Sequence, residues 1–408
     1  MPILSSPIRY LLFDYISKET ETYKSCLTPE DRRRRDRRIP RCSIRHYNES
    51  SFKYLYDSRN DQALLNLTGL DHASFNELLE LYKPYYKLYT WDDKKKVVRK
   101  LKLDRNGDPF KGRPRLMDAV GSLGLVFAWY RTRGACTRTL SMAFGLTCTP
   151  MYNWLKFGRR VLLACLLKHD AARVTTPTAN DIEVYKEAIT RKYPRMRNVW
   201  GACDGLKLQI EESKNWFIQN QFFNGWTHGH YVNCIFVFAA DGRIRICVIN
   251  TPGTWHDSTQ ADHGVYAKME KVFDDHGAIV VVDSAFNMQN KDYLVKSSQQ
   301  DPTNAAELLT NRDATSIRQL SEWGMRMLQA QFPRMKDRIA YEEKGERRVI
   351  LNLMVLLYNF QCSRIGHNQI FTTFMNDEDN YYGNYGNDIG VEANLDLILE
   401  MVGLQEPW

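Results

Sequence analysis

The chain has 408 residues, 43% of them hydrophobic and 25% charged, with a formal net charge of +8. That balance excludes fibrous, collagen-like and wholly disordered chains, supplies ample material for a core, and makes polyanions the first class of partner to consider. Nine cysteines with no Cys-x-x-Cys pair and no finger spacing read as reduced thiols of a nuclear or cytoplasmic protein, and no apolar run is long enough to span a bilayer.

The length suits two or three domains. Residues 1–59 read as a basic arm in which Arg32, Arg33, Arg34, Arg35, Arg37, Arg38 and Arg41 crowd around Asp36. Such a run is a nuclear-import or phosphate-contacting arm, or a solvated tail. Residues 60–198 read as a helical domain. The spacing of Leu64, Leu65, Leu67, Leu70, Phe75, Leu78, Leu79 and Leu81 suggests helices, and a second basic cluster follows at Lys94, Lys95, Lys96, Arg99, Lys100 and Lys102. After the turn Asn106-Gly107-Asp108-Pro109 and the basic loop Lys111–Arg115 come a helix over 117–130 and a short one over 137–144. The turn at Gly145 then leads to a longer helix, with Thr149 as its cap and Pro150 at its first position. Residues 137–165 thus form a helix-turn-helix pattern, which a plain helical bundle would share. Arg113, Arg115, Lys156, Arg159 and Arg160 are its candidate DNA contacts.

A helix over 183–197 leads into Trp200–Ile210, whose alternation is that of a strand with Asp204 on the core-facing side. A carboxylate there calls for a metal or a basic partner; the alternative is a salt-bridged core acid. An aromatic, polar hairpin region spans 215–230. Strands follow at 231–240 and 243–250 about the Asp241-Gly242 turn, then a helix over 258–273 and a buried strand over 278–283 ending on Asp283. Three antiparallel strands followed by helix-crossed strands is the ribonuclease-H order, an α/β arrangement of a mixed sheet flanked by helices. In the helix beyond residue 304, Ile317, Leu320, Gly324, Met327 and Leu328 form the packing stripe and Glu322 lies off it. Asp257 is placed to cap the helix that follows it, and the plain alternative for Glu322 is an ordinary exposed helix residue. Hard oxygen ligands of this kind suit Mg²⁺ or Mn²⁺. The helix at 347–362 would pack on the core, and residues 366–408 read as an acidic tail with a short helix over 395–404.

Five segments in order, Gly201–Gly205, Asp241–Arg243, Thr251–Ser258, Val281–Ser284 and Arg318–Glu322, make the chain resemble the PIF/Harbinger transposases of the DDE endonuclease superfamily over about residues 115–365. The resemblance implies a ribonuclease-H-like core over 199–365, a catalytic triad of Asp204, Asp283 and Glu322 with Asp257 as an auxiliary ligand, and two Mg²⁺ or Mn²⁺ ions. The implied activity is hydrolysis of phosphodiester bonds at element ends and transfer of the 3′ ends to target DNA. The implied partners are double-stranded DNA, a Myb-like DNA-binding protein and further copies of the chain on DNA, in the nucleus. Lys207 and Ala285 depart from the family's usual residues on the substrate side. A catalytically silent DNA-binding or interaction protein derived from a transposase is the competing expectation.

Overall fold

The structure is a computed structural model that describes residues 41–105, 109, 114–134, 136–296, 305–340, 344–366 and 368–375. The arginines at 32–38, the basic loop with Arg113 and the tail from residue 376 lie outside the described residues. The chain divides into two compact units, Met1–Ile44 and Arg45–Trp408. Of the first, only a short 3₁₀ turn at Arg41–Ser43 and Ile44 are described.

The second unit opens with three helices, α1 (Ser51–Asp57), α2 (Asp61–Thr68) and α3 (His72–Leu88). Each starts where a side chain accepts an otherwise unpaired backbone N–H: Ser50 from Lys53, Asn60 from Ala63 and Asp71 from Ser74. A two-stranded hairpin, β1 (Tyr89–Asp92) and β2 (Val97–Lys100), follows. Next come α4 (Ala119–Arg131), α5 (Cys136–Phe144), α6 (Cys148–Leu166) and α7 (Ala179–Lys192), the last begun by a reciprocal capping box between Thr178 and Asp181.

The sheet is built from β3 (Val199–Gln209), β4 (Phe223–Asn224), β5 (Gly229–Ala239), β6 (Ile244–Pro252), β7 (Ile279–Val282) and β8 (Leu294–Val295). Its order is β6-β5-β3-β7-β8, with β4 pairing the start of β5. Strand β5 is antiparallel to β3 and β6, and β3, β7 and β8 run parallel. This is the ribonuclease-H order and polarity that the sequence predicts. Helix α8 (Trp216–Phe222) sits between β3 and β4. Helices α9 (Asp257–Ala261) and α10 (Val265–His276) cross from β6 to β7, followed by α11 (Ala305–Gln331), α12 (Lys344–Ile365) and α13 (Gln369–Phe374).

Helices cover both faces of the sheet, so the first half of β3 is buried without alternation: Val199, Trp200, Ala202 and Cys203 are all fully buried. Helix α12 packs against both α6 and β6, and α7 packs on β3. The helical block and the sheet therefore share one core, and residue 198 is no domain boundary. The helix expected over 258–273 is two, because Gly264 takes φ +110 between α9 and α10. The basic cluster expected after the first helices forms a hairpin, and α1 falls inside the expected arm with Phe52 buried. Among the described residues no helix is long and apolar enough to cross a membrane.

Candidate active site

Asp204 belongs to the middle of β3. The parallel register pairs Cys203 with Val282, so Asp283, the residue after β7, stands level with Asp204 on the neighbouring strand. Both acids are half-buried. Asp204 Oδ1 accepts the Gly205 N–H at 2.7 Å.

Asp257 arrives from the other side, at the first position of α9. The loop before it is tied to β5: Asn233 Nδ2 donates to the Trp255 carbonyl at 3.1 Å, and Gln260 Nε2 donates to the same carbonyl and to Asp257 Oδ1, each at 3.2 Å. His256, not Asp257, occupies the cap position. The Asp257 carboxylate rests against Gly205, where an added Cβ would come within 2.8 Å of Oδ1. A glycine beside Asp204 is thus what admits the second loop to the site.

Burial pushes the Asp204 carboxyl up to about 6; the Gly205 N–H opposes the shift, the negative charge of Asp283 adds to it, Arg318 opposes it and Asp257 adds again. Asp257 is also raised, first by burial, against the offsetting charge of Lys207 and with the repulsion of Asp283. The charge of Asp283 therefore disfavours that of both Asp204 and Asp257. A divalent cation among them would relieve both burial and repulsion, and the all-oxygen donor set suits Mg²⁺ or Mn²⁺.

Glu322 is held differently. Helix α11 lies on β3 through buried Ile317, Leu320 and Leu328, and Gly324 lets it close on Phe238, whose ring an added Cβ would meet at 2.6 Å. One turn earlier, Arg318 Nη2 pairs with Glu322 Oε1 at 2.7 Å, while the same arginine offsets the charge of Asp204. Arg318 thus links the aspartates to Glu322. Among the described residues no three His, Cys, Asp or Glu side chains stand close enough to hold a metal ion as they are. The link through Arg318 was legible as an Arg–Glu pair at i, i+4 on one helix.

The expected DNA contacts on α6 need correction. Arg159 and Arg160 are 5% and 8% exposed and clamp Glu346 of α12, at 2.8 and 2.5 Å. Arg159 also lies over Trp129 and Arg160 over Trp91. Ten consecutive residues of α6, Phe157–Leu166, are buried, so this stretch cannot enter a DNA groove in this fold. The helix begins at Cys148 after Thr147, two residues earlier than expected. Arg115 donates to the Tyr89 carbonyl at 2.7 Å and stacks on Tyr86, and Lys156 is partly buried.

Residues 203–359, which contain Asp204, Asp257, Asp283 and Glu322, match the family model of the DDE superfamily endonucleases. A crystal structure of a pre-cleavage Mos1 transpososome aligns with 67% of this chain and 84% of that chain at 8% identity and a TM-score of 0.20, a similarity too low to carry an argument. No curated protein matches the chain. The resemblance read from the five ordered segments is thus shown at the level of the DDE superfamily.

Proposed function

We propose that the protein is a divalent-metal-dependent DNA endonuclease of transposase type, with Asp204, Asp257 and Asp283 as the acids that a metal ion would draw together. The observation that carries this reading is the crowding of those three acids, with Asp204 pushed up to about 6, inside a segment that matches DDE endonucleases. Side chains whose charges disfavour one another in a cleft mark a site kept for a cation or a reaction rather than for stability.

A metal ion bound there supplies Lewis acidity to the phosphodiester and acidifies an attacking water. The chain's own parts prepare for this. Adjacent strands β3 and β7 set Asp204 and Asp283 at one level, and the hydrogen-bonded loop on β5 fixes Asp257 against Gly205. Release of Arg318 frees Glu322 to turn toward the aspartates and leaves a guanidinium beside the incoming phosphate. Lys207, exposed on β3 near Asp257, is a second cation for the same phosphate. Transfer of 3′ ends to target DNA in the PIF/Harbinger manner, with two ions, Glu322 as the third triad acid, oligomers on DNA, a Myb-like partner and a nuclear location, forms the finer part of the same proposal.

The second reading, a catalytically silent derivative, draws on one observation: Glu322 is already neutralised by Arg318. Nicking of supercoiled plasmid with Mg²⁺ or Mn²⁺ separates the two. Wild-type protein should nick, and Asp204→Asn and Asp283→Asn should fall to background. A wild type without nicking activity in either metal overturns the endonuclease reading.

A further inference from the structure

Among the described residues, a strongly charged feature away from the carboxylates is the β1–β2 hairpin with the segment that follows it. Residues 91–105 hold seven Lys or Arg and three Asp, a surplus of four that equals half of the chain's net charge of +8. Some lysines elsewhere sit beside an acid on their own helix, as in Lys53–Asp57, Lys83–Glu80 and Lys186–Glu183. On the hairpin, Lys94, Lys95, Lys100, Lys102 and Arg105 are exposed and, among the described residues, form no ion pair. Lys96 and Arg99 pair only with the hairpin's own Asp93 and Asp92.

A solvated run of like charge is ordinarily free to spread out. This one is pinned. Asp92 Oδ1 accepts the N–H groups of Lys94 and Lys95, each at 3.1 Å, closing the turn. Arg115 donates to the Tyr89 carbonyl at the base, and the ring of Trp91 covers the buried Arg160. Beside the hairpin, a cleft of about 290 Å³ runs to the first turns of α6; Arg115, which lines it, has one nitrogen, Nη1, without an acceptor. The foot of the hairpin is also wired toward the carboxylates. Arg160 grips Glu346, and the next residue, Arg347, donates to Asn250 of β6 at 2.6 Å, two residues before Pro252 and the loop that delivers Asp257.

We propose that this hairpin is a preformed grip for the phosphate backbone of duplex DNA, binding by charge without reading sequence and holding the duplex that the carboxylates act on. The inference rests on the endonuclease reading for its choice of polyanion. Fixed, unpaired lysines neutralise phosphates and release counterions without first losing an intramolecular partner. The hairpin tip presents lysines and no large apolar side chain, which favours DNA over a membrane surface.

The test is fluorescence anisotropy on the full chain with a mixed-sequence duplex of about 30 bp, in chelator, over a range of salt. The quadruple variant Lys94→Gln, Lys95→Gln, Lys100→Gln, Lys102→Gln changes only exposed side chains and should keep the wild-type thermal midpoint. Its affinity should fall roughly tenfold or more near 0.1 M salt, and its log–log salt slope should shrink by about 3 to 4. Wild-type affinity and slope in that variant overturn the proposal, as does a wild type that leaves the duplex unbound or prefers anionic phospholipid vesicles to it. Binding is read in chelator and nicking in added metal, so failure of the endonuclease reading in the nicking assay and failure of the grip in this one are read separately.

Discussion

Glu346 and Asp204 are both acids taken out of water, and their surroundings move them in opposite directions. Burial pushes Glu346 up, but the guanidinium groups of Arg159 and Arg160 outweigh it and hold the carboxyl below its ordinary value. Asp241 repeats the pattern: burial raises it, and Arg245 and Arg243 more than reverse the shift. At Asp204 burial is opposed only by the Gly205 N–H and Arg318, while Asp283 and Asp257 add to it, and the group is driven up to about 6. Carboxylates closed by guanidinium groups hold the fold together, as Glu346 does between α6 and α12, and carboxylates left short of cations form the candidate site.

The comparison breaks most visibly at Glu346. Glu346→Gln leaves two buried guanidinium groups without their shared counter-charge, at a place where α6 and α12 meet. A loss of about 3–5 kcal/mol is expected, measured by urea unfolding at neutral pH. A change below about 1 kcal/mol would show that the clamp is not what ties the two blocks together.

The opposite sign is expected at the site. Asp204 has a folded value near 6 against 3.8 unfolded, so between those values the native state binds more protons and stability falls as pH rises. In chelator at pH 7, Asp204→Asn should therefore stabilise the fold by about 2 kcal/mol and flatten the loss between pH 4 and 6. Added Mn²⁺ should raise the melting temperature of wild type and leave that of the variant nearly unchanged. A destabilised variant would place Asp204 with Glu346, among the acids that hold the structure together.

Most of the fold was legible because strands buried on both faces betray themselves in unbroken apolar runs. Ile279–Val282 and Cys234–Ala239 are of this kind, and the Asp241-Gly242 dipeptide between β5 and β6 marks a turn whose glycine takes φ +82. Asp204 and Asp283 were legible as acids at the core side or end of such runs. What sequence conceals is the partner across a long separation. Arg159-Arg160 reads as a surface pair because Glu346 lies nearly two hundred residues away, and its burial shows only in the assembled core. The hairpin was hidden for another reason: its strands have four residues each, and Lys94-Lys95-Lys96 masks their alternation. Gly205 gave no sign either, because its need for small size comes from Asp257, fifty-two residues on.

The smallest effect separates the two kinds of carboxylate most finely. Arg318 and Glu322 are 28% and 38% exposed, so their pair contributes at most about 0.5 kcal/mol to stability, and Arg318→Gln should barely move the unfolding midpoint. Its consequence lies in metal binding. Arg318 now offsets Asp204 and occupies Glu322, competing with a cation for both acids. Removing it should tighten Mn²⁺ binding several-fold by calorimetric titration, and Glu322→Gln in that background should cancel the gain. If Mn²⁺ affinity is unchanged while stability drops, Arg318 is a structural cation like Arg159, and Glu322 leaves the set of ligands.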